Sequence, residues 1–108
     1  MRKERWADAE KQFRKSLLVN PAHPGCNRGL SESLRHQCQP EEAIRFARRA
    51  VRWSKSPDAE TLLTLADAYA TANRTQEARE TLEQALAAAN GTSAGLAPVI
   101  RDRLRALR

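Results

Sequence analysis

Two sets of side chains have types and spacings that could do chemistry. His23-x-x-Cys26 and His36-x-Cys38 offer imidazole and thiol groups at intervals that suit a zinc ion. Arg45, Arg48, Arg49 and Arg52 recur at i, i+3, i+4 and i+7 and would line one side of a helix with guanidinium groups able to hold phosphates. Position argues against the first set. Cys26 and Cys38 are predicted at opposite ends of one helix, where a rise of ~1.5 Å per residue sets them roughly 18 Å apart. A disulfide needs Cα atoms within about 7 Å, and four ligands that far apart cannot converge on one ion. Free thiols and surface imidazoles are expected, with no metal and no cofactor. The arginine stripe has no interleaved aromatic for base stacking, no glycine-rich loop, and falls opposite the apolar face of its helix. Nucleic-acid binding through it ranks behind a solvated basic face. His36 stands beside Arg35 with no carboxylate or serine fixed next to it, so a catalytic dyad has no support. With no Walker loop, dinucleotide fingerprint or His-Glu-x-x-His either, no enzyme chemistry is expected and no catalytic residue is named.

The elements that carry these residues must fit in one small domain. The chain has 108 residues, 41% hydrophobic and 30% charged, enough for a single core but not for a cleft between two lobes. No apolar run approaches the ~20 residues that span a bilayer, so membrane insertion is not expected. The start Met1-Arg2-Lys3-Glu4-Arg5-Trp6 has no apolar stretch behind it, so no signal peptide is read and cytoplasm is the default location. The net charge of +6 is uneven. Residues 1–57 carry thirteen basic and six acidic side chains, residues 58–92 two and six, and residues 93–108 four and one. Such a distribution can steer partners of either sign.

An internal period is visible. Shifted by 34, Ala9 meets Ala43, Phe13 meets Ala47, Ser16 meets Ala50, Leu17 meets Val51 and Val19 meets Trp53. A further shift of 35 brings Ala43 onto Ala78, Ala47 onto Leu82, Ala50 onto Ala85 and Val51 onto Leu86. Within each unit the apolar residues keep helical spacing, as in Ala43, Ile44, Ala47, Ala50 and Val51, or Leu62, Leu65, Ala66, Tyr69 and Ala72. Pro24, Pro40 and Pro57 suit first helical turns, Asn73 tolerates the left-handed cap, and Asn90-Gly91 ends the fifth helix. The spacing predicts helices at about 4–19, 24–37, 40–54, 58–72, 75–89 and 96–107. Trp6 and Trp53 are expected to pack at helix ends.

The stretch Leu62-x-x-Leu65-Ala66-x-x-Tyr69, followed by Asn73-Arg74, Ala78, Leu82 and Ala85, resembles the tetratricopeptide repeat. Trp6-x-x-Ala9-x-x-x-Phe13-x-x-Ser16 through Asn20-Pro21 is similar to the second helix of such a repeat and its closing proline. Residues 24–55 match more loosely, with Asn27 and Ser31 where a large and a small residue usually stand. The resemblance implies an all-α fold of antiparallel helix-turn-helix repeats stacked as a short right-handed α-solenoid, about two and a half units plus a C-terminal capping helix. Its parts would be residues 4–21, a second helix alone; 24–55 and 58–92, two repeats; and 94–108, the cap. The ending is similar to the C-terminal block of bacterial members of the family.

First helices of this family line a concave groove where partner peptides lie. Residues placed there by the resemblance are Arg28, Glu32, Arg35 and His36 from 24–37, with Glu60, Leu63, Thr64, Asp67 and Thr71 from 58–72. The family's clamp for a peptide's terminal carboxylate aligns with Arg28, Glu32, Glu60 and Thr64, and the two acids would repel such a ligand. A basic or helical partner segment fits better, against the plainer alternative of a solvated face with Arg28–Glu32 as an i,i+4 pair. The first predicted helix has no partner helix of its own repeat, so Trp6, Ala9, Phe13 and Leu17 are expected to leave an uncovered apolar face that self-associates, giving a homodimer. The function read from all this is a protein–protein interaction scaffold or adaptor. The rival readings are a non-catalytic C-terminal segment of a larger bacterial enzyme or membrane protein and, behind it, nucleic-acid binding.

Overall fold

The computed structural model describes residues 3–54, 58–92 and 94–107. Six helices follow in order: α1 Lys3–Val19, α2 Pro24–His36, α3 Pro40–Trp53, α4 Ala59–Thr71, α5 Thr75–Thr92 and, after a single 3-10 turn at Ala94–Leu96, α6 Ala97–Ala106. Each helix packs on the next, α2 also touches α4, and the whole measures 34 × 28 × 21 Å. This is an all-α, repeat-like solenoid.

Caps and prolines explain where helices start. Pro24, Pro40 and Pro98 stand in first turns, where a missing N–H is harmless. Asp58 caps α4, its Oδ1 accepting from the Thr61 backbone N–H at 2.8 Å, and that bond holds the carboxyl below its ordinary pKa. His23 caps α2 through Nδ1, which accepts from the Cys26 N–H at 3.1 Å. Pro57, expected in the first turn of the fourth helix, lies with Lys55 and Ser56 outside the described residues. α5 does not stop at Asn90-Gly91 but runs on to Thr92. Glycine ends a helix where it turns left-handed, and no described glycine has a positive φ.

The turns after α2 and α4 are the same structure. Cys38 and Asn73 have φ of 61° and 63°. In the first turn the Gln39 N–H donates to the Leu34 carbonyl at 2.9 Å and the Cys38 N–H to that of Arg35 at 3.1 Å. In the second, Arg74 donates to Tyr69 at 2.9 Å and Asn73 to Ala70 at 3.0 Å. Both are Schellman closures. Asn73 is a residue type suited to the left-handed position, whereas cysteine is not; Cys38 lies beyond α2 rather than on it, because the helix ends at His36 and is capped at Gln37. Both thiols are free, Cys26 half-buried and Cys38 exposed. Replacing Cys38 by glycine removes a steric penalty of about 1 kcal/mol for an L-residue at that φ, and a higher urea midpoint is expected. An unchanged midpoint would refute the strain.

Two apolar clusters hold the stack together. Leu30, Leu34, Ala43, Ile44, Ala47, Leu65, Tyr69 and Ala78 join α2 to α5, while Leu62, Ala66, Leu82, Ala85, Ala89 and Ile100 join α4 to α6. Ala43 and Ala78, in register by the period, are both fully buried in the first cluster. The two departures from the repeat pattern are tethers. Ser31 Oγ donates across to the Ala43 carbonyl at 2.6 Å, and Asn27 Nδ2 donates to the carbonyls of Pro21 and His23, tying the α1–α2 link to α2.

α1 meets the stack closely. The Phe13 ring lies on Gly29, where a Cβ would fall inside contact distance of its Cζ, Cε1 and Cε2. The face expected to be uncovered, Trp6, Ala9, Phe13 and Leu17, is half-buried instead. Phe13 and Leu17 pack on the first cluster, and Trp6 stacks on His36 with centroids 4.0 Å apart and planes 4° from parallel. The reason is that α1 packs along α2, with Arg14 also reaching Glu42 of α3. Exposed in its place are Gln12 and Ser16, whose counterparts one period on, Phe46 and Ala50, are buried. Trp53, expected to pack at the end of α3, is 53% exposed.

Candidate functional site

Helices α2, α4 and α6 bring charged side chains around one cavity of about 300 Å³, lined by Arg28, Glu32, Arg35, Glu60, Leu63, Thr64, Asp67 and Arg103. It adjoins a second, of about 370 Å³, which shares Arg35, Asp67 and Arg103 and adds Thr71 among its lining residues. Seven of the nine groove residues drawn from the sequence line the first cavity, Thr71 lines the second, and His36 lines neither. His36 is one residue round the helix from Arg35, and the Trp6 indole holds its ring on the α1 side.

The charges are nearly all committed. Arg28 Nη1 reaches Glu60 Oε2 at 3.0 Å, crossing from α2 to α4 instead of pairing with Glu32 along its own helix. Arg103 Nε donates to Asp67 Oδ1 at 2.6 Å, with the Asp67 side chain only 16% exposed. Exposed pairs of this kind each contribute about 0.2–1 kcal/mol, and the second belongs near the top of that range by its burial. Glu32 and Arg35 have no ion pair among the described residues, and Arg35 Nε is buried without an acceptor. Arg35 Nη2 lies 3.2 Å from His36 Nε2. Thr64 Oγ1 is spent on the Glu60 carbonyl. The site therefore has two charges of opposite sign, one turn apart on α2, that are in no ion pair among the described residues.

Arg103 was not legible as a site residue. In the sequence it is one of several arginines on a predicted cap, and only the way α6 lies against α4 brings it to Asp67. A family model for the tetratricopeptide repeat matches residues 27–91, well over half of the chain. The chain belongs to the tetratricopeptide-repeat family. Tetratricopeptide repeats generally mediate protein–protein interaction, and the family is typically a non-catalytic scaffold. A comparison with curated proteins found no match. No described helix is long and apolar enough to cross a membrane. The cavity lies where α2, α4 and α6 meet.

The junction beside the groove holds one histidine with a shifted pKa. Partial burial, then the Arg35 guanidinium, push the His36 pKa below its ordinary value, while Arg14 lowers that of Glu10 on the facing helix. A histidine depressed on folding binds fewer protons than in the unfolded chain, so stability should fall as pH drops through about 6.5 and level off below the folded value. His36→Gln should abolish that dependence in urea melts. In the intact protein the imidazole resonances of His36 should titrate with a midpoint below 6.5, and a midpoint above it would contradict the assignment.

Proposed function

We propose that this protein is an interaction module with no chemistry of its own, receiving a partner's polypeptide segment in the cavity between α2, α4 and α6. The observation that supports it is the pairing pattern: every other charge around the cavity has an ion pair, while among the described residues Glu32 and Arg35 have none. A segment suited to that pair presents a lysine or arginine to Glu32 and a carbonyl or carboxylate oxygen to Arg35. The balanced charge and the acids at Glu32 and Glu60 disfavour a lone terminal carboxylate. Self-association through α1 is not part of this reading, because Trp6, Ala9, Phe13 and Leu17 already rest on α2.

The test is capture from the source lysate, identification of the bound protein, and titration of that purified partner against wild type and a Glu32→Lys/Asp67→Lys variant. Affinity should fall by about 100-fold, the scale for reversing two rim or half-buried charges. Equal affinity for both proteins would remove the groove from the function.

A further inference from the structure

The stripe Arg45, Arg48, Arg49 and Arg52 lies outside that groove. It forms one wall of a separate cleft of about 760 Å³, closed at one end by Glu41 and Arg74, with Ile44, Val51 and Leu65 also lining it. Ile44 and Leu65 are 3% and 8% exposed, so the bottom of the cleft is core. The two acids of α3 sit in its first turn, Glu42 3.7 Å from Arg14 and Glu41 3.6 Å from Arg74. None of the four stripe arginines has an ion pair among the described residues; Arg49 only rests over the Phe46 ring at 5.6 Å. Like charges at i, i+3 and i+4 oppose helix formation, and solvated faces usually relieve this by mixing signs. The other exposed faces do so: Arg14 pairs with Glu10 on α1, and Arg79 shares α5 with Glu77, Glu80 and Glu83. On α3 both acids stand in the first turn, and none follows among the four arginines.

We propose that the α3 cleft docks an acidic, amphipathic helical segment of a partner protein. Its carboxylates would take the guanidinium groups in paired hydrogen bonds, which arginine makes and lysine does not, and its apolar residues would cover Val51 and the rim of Ile44 and Leu65. The stripe from Arg45 to Arg52 spans about 10 Å, two helical turns of a bound segment. A nucleic acid is disfavoured by the apolar bottom and by the rings around it: Phe46 and Tyr69 are buried beneath Arg49 and Arg74, and the exposed Trp53 is not among the cleft's lining residues.

The probe is a fluorescein-labelled peptide of glutamate and leucine, with leucine at helical spacing over about four turns, titrated by polarisation into the full chain. Saturable binding that weakens with salt is expected. Arg48→Gln/Arg52→Gln should lower affinity by at least about tenfold, and the charge-matched Lys11→Gln/Lys15→Gln on the exposed face of α1 should leave it within about twofold. Circular dichroism of both variants guards against misfolding, and the exposed Arg45→Gln provides an independent smaller loss. Absence of binding would overturn the proposal. So would an equal loss in Lys11→Gln/Lys15→Gln, or tighter binding of a charge-matched single-stranded oligonucleotide.

Discussion

Leu34→Ala should lower the unfolding free energy by about 3 kcal/mol, within the range of about 2–5 kcal/mol for emptying a fully packed leucine site. Leu34 is 0% exposed and sits in the cluster that joins α2, α3, α4 and α5. Its neighbours Leu30, Ala43 and Ala47 are themselves fully buried on helices fixed by the turn at Cys38, so they have little freedom to collapse into the void. A domain of this size has only about 5–15 kcal/mol in total. The variant should therefore melt well below wild type in urea followed by circular dichroism. A loss under about 1 kcal/mol would mean that the cluster is not the common core of four helices.

The second large effect has a sign that depends on its background. Glycine within a helix is less stable than alanine by roughly 1 kcal/mol, so Gly29→Ala would ordinarily strengthen α2. Here the new methyl would enter the space of the Phe13 ring. Gly29→Ala alone should destabilise by about 1–3 kcal/mol, the usual cost of overpacking. Loss of the Trp6–His36 stack and faster amide exchange in α1 should accompany it. With Phe13→Ala already in place, the same change should stabilise. A double-mutant cycle measures the reversal directly, and additive effects would show that the ring does not rest on Gly29.

Much of the fold was legible because it depends on local rules. The spacing of Ala43, Ile44, Ala47, Ala50 and Val51 gives α3 its buried face, and all but Val51 are buried. Asn73 took the left-handed position its side chain tolerates. The equivalent turn at Cys38 was missed, since cysteine gives no turn signal and only the periodicity could have carried the reading from one hairpin to the other. The groove residues came from the resemblance to the tetratricopeptide repeat, which says which helices line a groove, and helical spacing only sorted the faces of those helices. What periodicity cannot set is the angle at which one helix crosses another. Arg103 meeting Asp67, Arg28 choosing Glu60 over Glu32, and the withdrawal of His36 toward Trp6 are all consequences of crossing geometry. Exposure of Trp53 belongs with them, because a helix end packs only if a neighbour extends that far.

The bond between Arg103 and Asp67 has a thermodynamic consequence for any incoming cation. A guanidinium or ammonium arriving at Asp67 must evict one already seated at 2.6 Å, so what it gains is the difference between two similar pairings rather than the whole of one. The handicap is modest, about fivefold at most for a pair worth about 1 kcal/mol, and a visitor that displaced Arg103 would also loosen the hold of the last helix on α4. Occupancy at one end of the molecule and attachment at its C-terminal edge are thus reciprocal: whatever strengthens either one weakens the other by the same amount.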